Sequence, residues 1–146
     1  MANYKRLLVC VELIPESDTE LLKSAKEIAT KYNAELVLVH AIEYMASYGA
    51  AYGVAVTAEM ENFLLESAQK GLRALGAEMN ISEDRQILKV GFAKSVILST
   101  ADEIGADMIV VGSHGRNGIK ILLGSTANAV LHGAKCDVLV VRLKSK

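Results

Sequence analysis

Apolar residues gather in short runs at 7–11, 36–39, 108–111 and 138–141, and a more polar run of similar length lies at 86–90. Continuous runs of this length, rich in Val, Leu and Ile, read as strands buried on both faces of a parallel sheet. The run at 86–90 carries two polar residues, Gln86 and Lys89, which marks it as the weakest strand and an edge strand. Between the runs, apolar residues recur at helical spacing. Leu21, Leu22, Ala25, Ile28, Ala29 and Tyr32 form one stripe, opened by Ser17 with Glu20 in a capping-box pattern and stopped at Asn33. Met60, Leu64, Ala68, Leu72 and Leu75 form the buried side of a second, long helix, and Val96, Ile97, Thr100, Ala101 and Ile104 that of a third, which stops near Gly105. A last helix runs from about Ser125 to His132. Residues 44–56, with Tyr44, Tyr48, Gly49, Tyr52 and Gly53 among alanines, show no period; they read as a mobile loop, with partial helix as the alternative. Pro15 falls in the loop after the first strand.

Strands alternate with helices throughout, the signature of an α/β fold with helices on both faces of a parallel sheet. No linker or internal repeat divides the chain, so residues 1–146 are expected to form a single domain. Half of the residues are hydrophobic (51%) while only 5% are aromatic, which predicts an aliphatic core. The formal net charge of −1 gives no electrostatic footprint for nucleic acid or an anionic membrane. No leader with a long apolar core and no stretch of membrane-spanning length is visible, so a cytoplasmic protein is the expectation. Cys10 and Cys136 adjoin apolar runs without metal-ligand spacing, and read as buried or half-buried hydrophobes rather than a disulfide.

Chemistry concentrates after the fourth strand. Gly112-Ser113-His114-Gly115-Arg116-Asn117-Gly118 places three glycines within seven residues, and Gly124-Ser125-Thr126 opens a helix. Glycines allow positive φ and close approach of the backbone to a ligand, so successive N–H groups can surround an anion. The helix start adds unpaired N–H groups and the positive end of its dipole, the Ser125 and Thr126 hydroxyls add donors, and Arg116 or His114 adds charge. The alternative is a plain strand-to-helix turn in which Ser125 caps its own helix. The residues alone leave both readings open. The pattern is neither a Walker loop nor the G-x-G-x-x-G fingerprint.

These residues resemble the universal stress proteins, whose ATP-binding members carry G-x-x-G, nine residues, then G-Ser/Thr after an apolar strand. Gly112 and Gly115 match the first pair and Gly124-Ser125 the second, while the spacer at 116–123 has eight residues rather than nine. The resemblance extends over nearly the whole chain: the run 7–12 matches the family's first strand with Glu12 in place of a terminal Asp, 38–42 the end of its second strand, 91–93 the turn into the third helix and 136–141 the closing strand. It implies a single open five-stranded parallel sheet of order 3-2-1-4-5, and a site of Val11, Glu12, Ala41, Val111, Gly112, Gly115, Arg116, Gly124, Ser125 and Thr126. The implied ligand is an adenine nucleotide, AMP or ATP, with magnesium as an optional companion. The second-strand backbone at Ala41 would meet adenine, and Glu12 the ribose hydroxyls or adenine amino group, against the alternative of a merely solvated carboxylate. His40 reads as a satisfied, half-buried histidine, and His132 as a cation suited to a helix C-terminus.

The resemblance implies a dimeric stress-response or regulatory binder. A slow ATPase is the second reading: phosphoryl transfer needs a base, a carboxylate-held metal and cationic stabilisation, and here only Arg116, Lys120, His114 and Glu12 come near the loop. A family member acting through protein–protein contact alone is the third. The continuously apolar last strand, Val138, Leu139, Val140 and Val141, lies at a sheet edge in the implied order and invites a homodimer through antiparallel pairing of two copies.

Overall fold

Each buried strand feeds two cores at once, and this explains its unbroken apolar run. In the computed structural model, which describes residues 3–43, 57–113 and 124–143, β1 (Arg6–Cys10), β2 (Glu35–Ile42), β3 (Gln86–Val90), β4 (Met108–Ser113) and β5 (Asp137–Arg142) form one sheet of order β3-β2-β1-β4-β5. Every pair is parallel, with Leu8 facing Val37 on one side and Ile109 on the other. Leu7, Val9 and Val11 turn toward a core shared with α1 (Pro15–Tyr32) and α2 (Ala58–Glu78). Leu8, with Val37, Val39, Ile109 and Val111, turns toward the other core, shared with α3 (Ala93–Ile104) and α4 (Ser125–Gly133). The expected fold class, strand order and two-sided helical cover are all present, and β3 lies at the edge as its polar positions implied.

Helix ends follow local chemistry with two departures. Asn33 and Gly105 close α1 and α3 in the left-handed conformation, at φ 56 and 65, as expected for C-caps. The start of α1 differs from its expected capping box. Ile14 is the N-cap, no side chain caps from that position, and Pro15 is the first helical residue rather than part of a loop. The fixed φ of proline suits that position, and its missing N–H leaves no donor unpaired there. Ser17 lies inside the first turn and is buried.

The second departure is Met60, expected on the buried side of α2 but 48% exposed. Leu72 is buried, while Leu64, Ala68 and Leu75 are half-buried. Burial in α2 is concentrated in its second half, at Leu72 and Gly76. Residues 44–56 lie outside the described residues. Cys10 and Cys136 are free and half-buried, and burial pushes the Cys10 thiol up from its ordinary pKa. No helix among the described residues is long and apolar enough to cross a membrane.

At the amino ends of the strands, Asp107 Oδ2 accepts from the peptide N–H groups of Lys5 (2.8 Å) and Arg6 (2.9 Å), tying the entry of β1 to that of β4. Leu8, fully buried on the central strand, is the clearest measure of the core. Leu8→Ala is expected to lower unfolding stability by about 2–5 kcal/mol, read from urea denaturation; a loss well under 1 kcal/mol would contradict the packing.

Candidate functional site

In a parallel sheet the carboxyl ends of all strands share one edge, and here the chain leaves β1 toward β2 on one side while β4 and β5 build outward on the other. Open α/β sheets bind ligands at such a reversal. The sheet register brings much of the sequence-derived set to this edge. β1 stops at Cys10, one residue before the apolar run ends, yet the N–H of Val11 still donates to Val39 O at 3.0 Å. Ala41 lies two residues further along β2 and pairs with Lys89. Val111 and Gly112 lie at the corresponding end of β4, facing Val140 and Val141. The helix α4 returns from the end of β4 to the start of β5, so its first residues, Ser125 and Thr126, with Gly124 ahead of them, lie at this same edge. Gly115 and Arg116, with His114 and Lys120, lie outside the described residues.

The turn between β1 and α1 is built around a residue that the motif did not include. Asp18, 2% exposed, accepts from the N–H of Glu12 through Oδ1 (3.0 Å) and from the N–H of Ile14 through Oδ2 (3.1 Å). Between them Leu13 sits at φ 62, uncommon for a residue with a Cβ. Burial pushes the Asp18 carboxyl above its ordinary pKa, and the backbone N–H groups of Glu12, Leu13 and Ile14 pull it back. The signal for Asp18 was present in the sequence: with Leu22, Ala25 and Ala29 it falls at i, i+4, i+7 and i+11, a carboxylate on the apolar stripe. Glu12 itself is exposed. His40 is half-buried with Nδ1 at 2.8 Å from Val11 O; a carbonyl only accepts, so Nδ1 carries the proton. It is the satisfied histidine expected. His132 is exposed in the last turn of α4, where its expected role needs only the helix end.

The four described α-helices begin differently. The Asp18 carboxylate serves the turn into α1. Thr57 Oγ1 accepts from Met60 N at the start of α2 (3.2 Å), and Glu43 Oε2 reaches across to accept from Ala93 N at the start of α3 (3.0 Å). At α4 the N-cap is Gly124, which has no side chain to offer, so Ser125 does not cap its own helix. The first hydrogen bond of α4 runs from Asn128 N to Gly124 O at 2.9 Å, and the N–H groups before it have no partner within the helix. Gly124 has φ −58, and a Cβ built on it meets nothing within 4 Å. Neither backbone conformation nor packing among the described residues accounts for a glycine there. Gly112 is the opposite case. It lies within β4, and a Cβ on it would come 2.5 Å from Leu143 Cδ1. Neither glycine takes the positive φ expected of the loop; among the described glycines only Gly91 and Gly105 do. No group of three or more His, Cys, Asp or Glu that could hold a metal is found among the described residues.

A single five-stranded parallel sheet of order β3-β2-β1-β4-β5 is the fold shared with solved relatives of one family. The family model of the Universal stress protein family matches residues 3–142, and the chain belongs to that family. It is 56% identical over 144 residues to Universal stress protein A homolog 2 of Coxiella burnetii, covering 99% of each chain. Among solved structures it resembles the hypothetical protein MJ0577, with a TM-score of 0.78 at 29% identity over 99% of this chain and 100% of that one. It also resembles a universal stress protein solved in complex with cAMP, with a TM-score of 0.60 at 25% identity over 98% of this chain and 100% of that one.

The two glycines yield a contrast that urea unfolding can read. Gly112→Ala is expected to cost about 1–3 kcal/mol, because Leu143 must move aside. Gly124→Ala is expected to stay within about 1 kcal/mol of the parent. A loss of about 2 kcal/mol or more at Gly124, beyond what the N-cap change costs, would contradict the open space there.

Proposed function

We propose that residues 1–146 form one nucleotide-binding domain that works in the cytoplasm as a dimeric stress-response regulator binding an adenine nucleotide. The observation that carries this reading is the start of α4. A helix N-terminus without a side-chain cap, with a glycine that the described fold does not require, suits an anion that brings its own oxygens. The phosphate then lies against Gly112, Gly115 and Arg116 and the helix start at Gly124, Ser125 and Thr126. The nucleoside lies along the ends of the central strands, with Val11, Ala41 and Val111 lining it through backbone and Glu12 accepting from ribose hydroxyls or the adenine amino group. The cAMP complex of a family relative supports an adenine nucleotide as the ligand class. AMP meets the chemistry of one helix N-terminus, and ATP is the larger alternative, its further phosphates reaching toward residues 114–120, with magnesium as companion.

The experiment is substitution at the helix start. Gly124→Val places a branched side chain where phosphate oxygens approach, and is expected to abolish AMP binding by calorimetry while leaving the circular dichroism spectrum unchanged. Normal binding by the folded variant would move the site elsewhere.

The dimer reading rests on β5. Val138, Leu139, Val140 and Val141 are half-buried on an edge strand whose ladder partner is β4. Leu143 N–H donates to Ser113 O on β4 (3.3 Å), and N–H directions alternate along a strand, so those of Val138 and Val140 turn to the open edge. A two-fold antiparallel pairing of two copies satisfies them. Val140→Pro removes one outward donor and leaves the β4 ladder its bonds. The variant is expected to run as a monomer in size-exclusion chromatography with light scattering, where the parent runs as a dimer; a monomeric parent at high micromolar concentration would refute the pairing.

A further inference from the structure

Among the described residues of the proposed site, the β1–α1 turn has its shape held by a buried carboxylate. A helix that starts on Ile14 has no N-cap oxygen, so the polar groups of the turn need a partner from elsewhere. The carboxylate of Asp18, four residues into α1, reaches back and takes two of them, one on each oxygen. Leu13, between the two bonded peptides, is held left-handed at φ 62. Its side chain packs on α2, with Leu13 Cδ1 at ordinary contact distance (3.4 Å) from a Cβ placed on Gly71, and it joins the core that α1 and α2 share with the sheet. Two anchors, one apolar and one charged, therefore over-determine a backbone conformation that a non-glycine residue rarely adopts, a combination found at sites where geometry matters. Glu12 is the first residue of this turn and the exposed carboxylate at the switch point.

We propose that Asp18 is a positioning residue: by holding the N–H groups of Glu12 and Ile14 it sets the turn that presents Glu12 to the nucleoside. The proposal rests on the nucleotide reading above and adds a residue to it that does not touch the ligand. Its chemistry is specific to a carboxylate. Both oxygens accept, whereas an asparagine would turn an NH₂ group toward one of the two peptide donors, releasing either Glu12 or Ile14. A residue that merely stabilised the fold would alter stability without acting through Glu12.

A double-mutant cycle separates the two roles. Glu12→Gln is expected to weaken AMP binding about tenfold, the loss of one charge-assisted hydrogen bond. Asp18→Asn is expected to weaken it by a similar factor. The double variant is expected to bind no more weakly than Glu12→Gln alone, because the second change acts through the first. Additive losses, about a hundredfold in the double variant, or an unchanged affinity in folded Asp18→Asn, would overturn the role of Asp18. A parent that binds no AMP would instead overturn the nucleotide reading itself. One measurement needs no variant: the Glu12 amide, although on an exposed residue, is expected to exchange slowly with deuterium because Asp18 holds it, and exchange at the rate of an open peptide would overturn the proposal even if Asp18→Asn fails to fold.

Discussion

Parallel pairing is the constraint from which the rest of this molecule follows. A strand that must run alongside its neighbour in the same direction needs a crossover to return, and those crossovers cover both faces of the sheet. Both sides of each central strand are then buried, so Leu7 and Leu8 are adjacent in sequence and belong to opposite cores. The same constraint fixes polarity. Every strand ends at one edge, and every returning helix begins there, so backbone carbonyls, helix N–H groups and the loops between them collect at a single end. The amino end is tied down by Asp107. The carboxyl end is the switch-point edge, where open α/β sheets take their ligands.

Strands and helices were legible because burial on both faces writes itself into unbroken apolar runs and a 3.6-residue stripe. The order of the strands was not, since periodicity carries no information on which neighbours pair; that came from the family resemblance in Gly112, Gly115, Gly124 and Ser125. Local rules failed where distant partners decide. Ser17 and Glu20 formed a plausible cap, yet the helix starts at Pro15 and the turn is satisfied by Asp18 from inside the first turns. Met60 kept the helical period but lies in the exposed first turn of α2. Glu43 serves a helix fifty residues away in sequence, a pairing that no window along the chain contains.

The candidate site was legible as a glycine pattern, but the pattern hid two unlike glycines. Gly112 is small because Leu143 occupies the space beside it, and that would hold in a protein that bound nothing. Gly124 has room for a side chain and a φ that any residue adopts. Within one motif, the first glycine answers to side-chain packing, while the later one is a helix N-cap with open space beside it among the described residues. A sequence match weighs them equally; the packing does not.

The contact between Gly112 and Leu143 also decides how the protein can be handled. Leu143 follows the last strand and lies buried at the carboxyl edge of the sheet, whereas Tyr4 precedes the first strand at the opposite end. A fluorophore or surface tether joined after Leu143 departs from the carboxyl edge and pulls on the residue that packs against Gly112 of β4. One joined ahead of Tyr4 departs from the far side of the sheet and leaves the carboxyl edge open to solution.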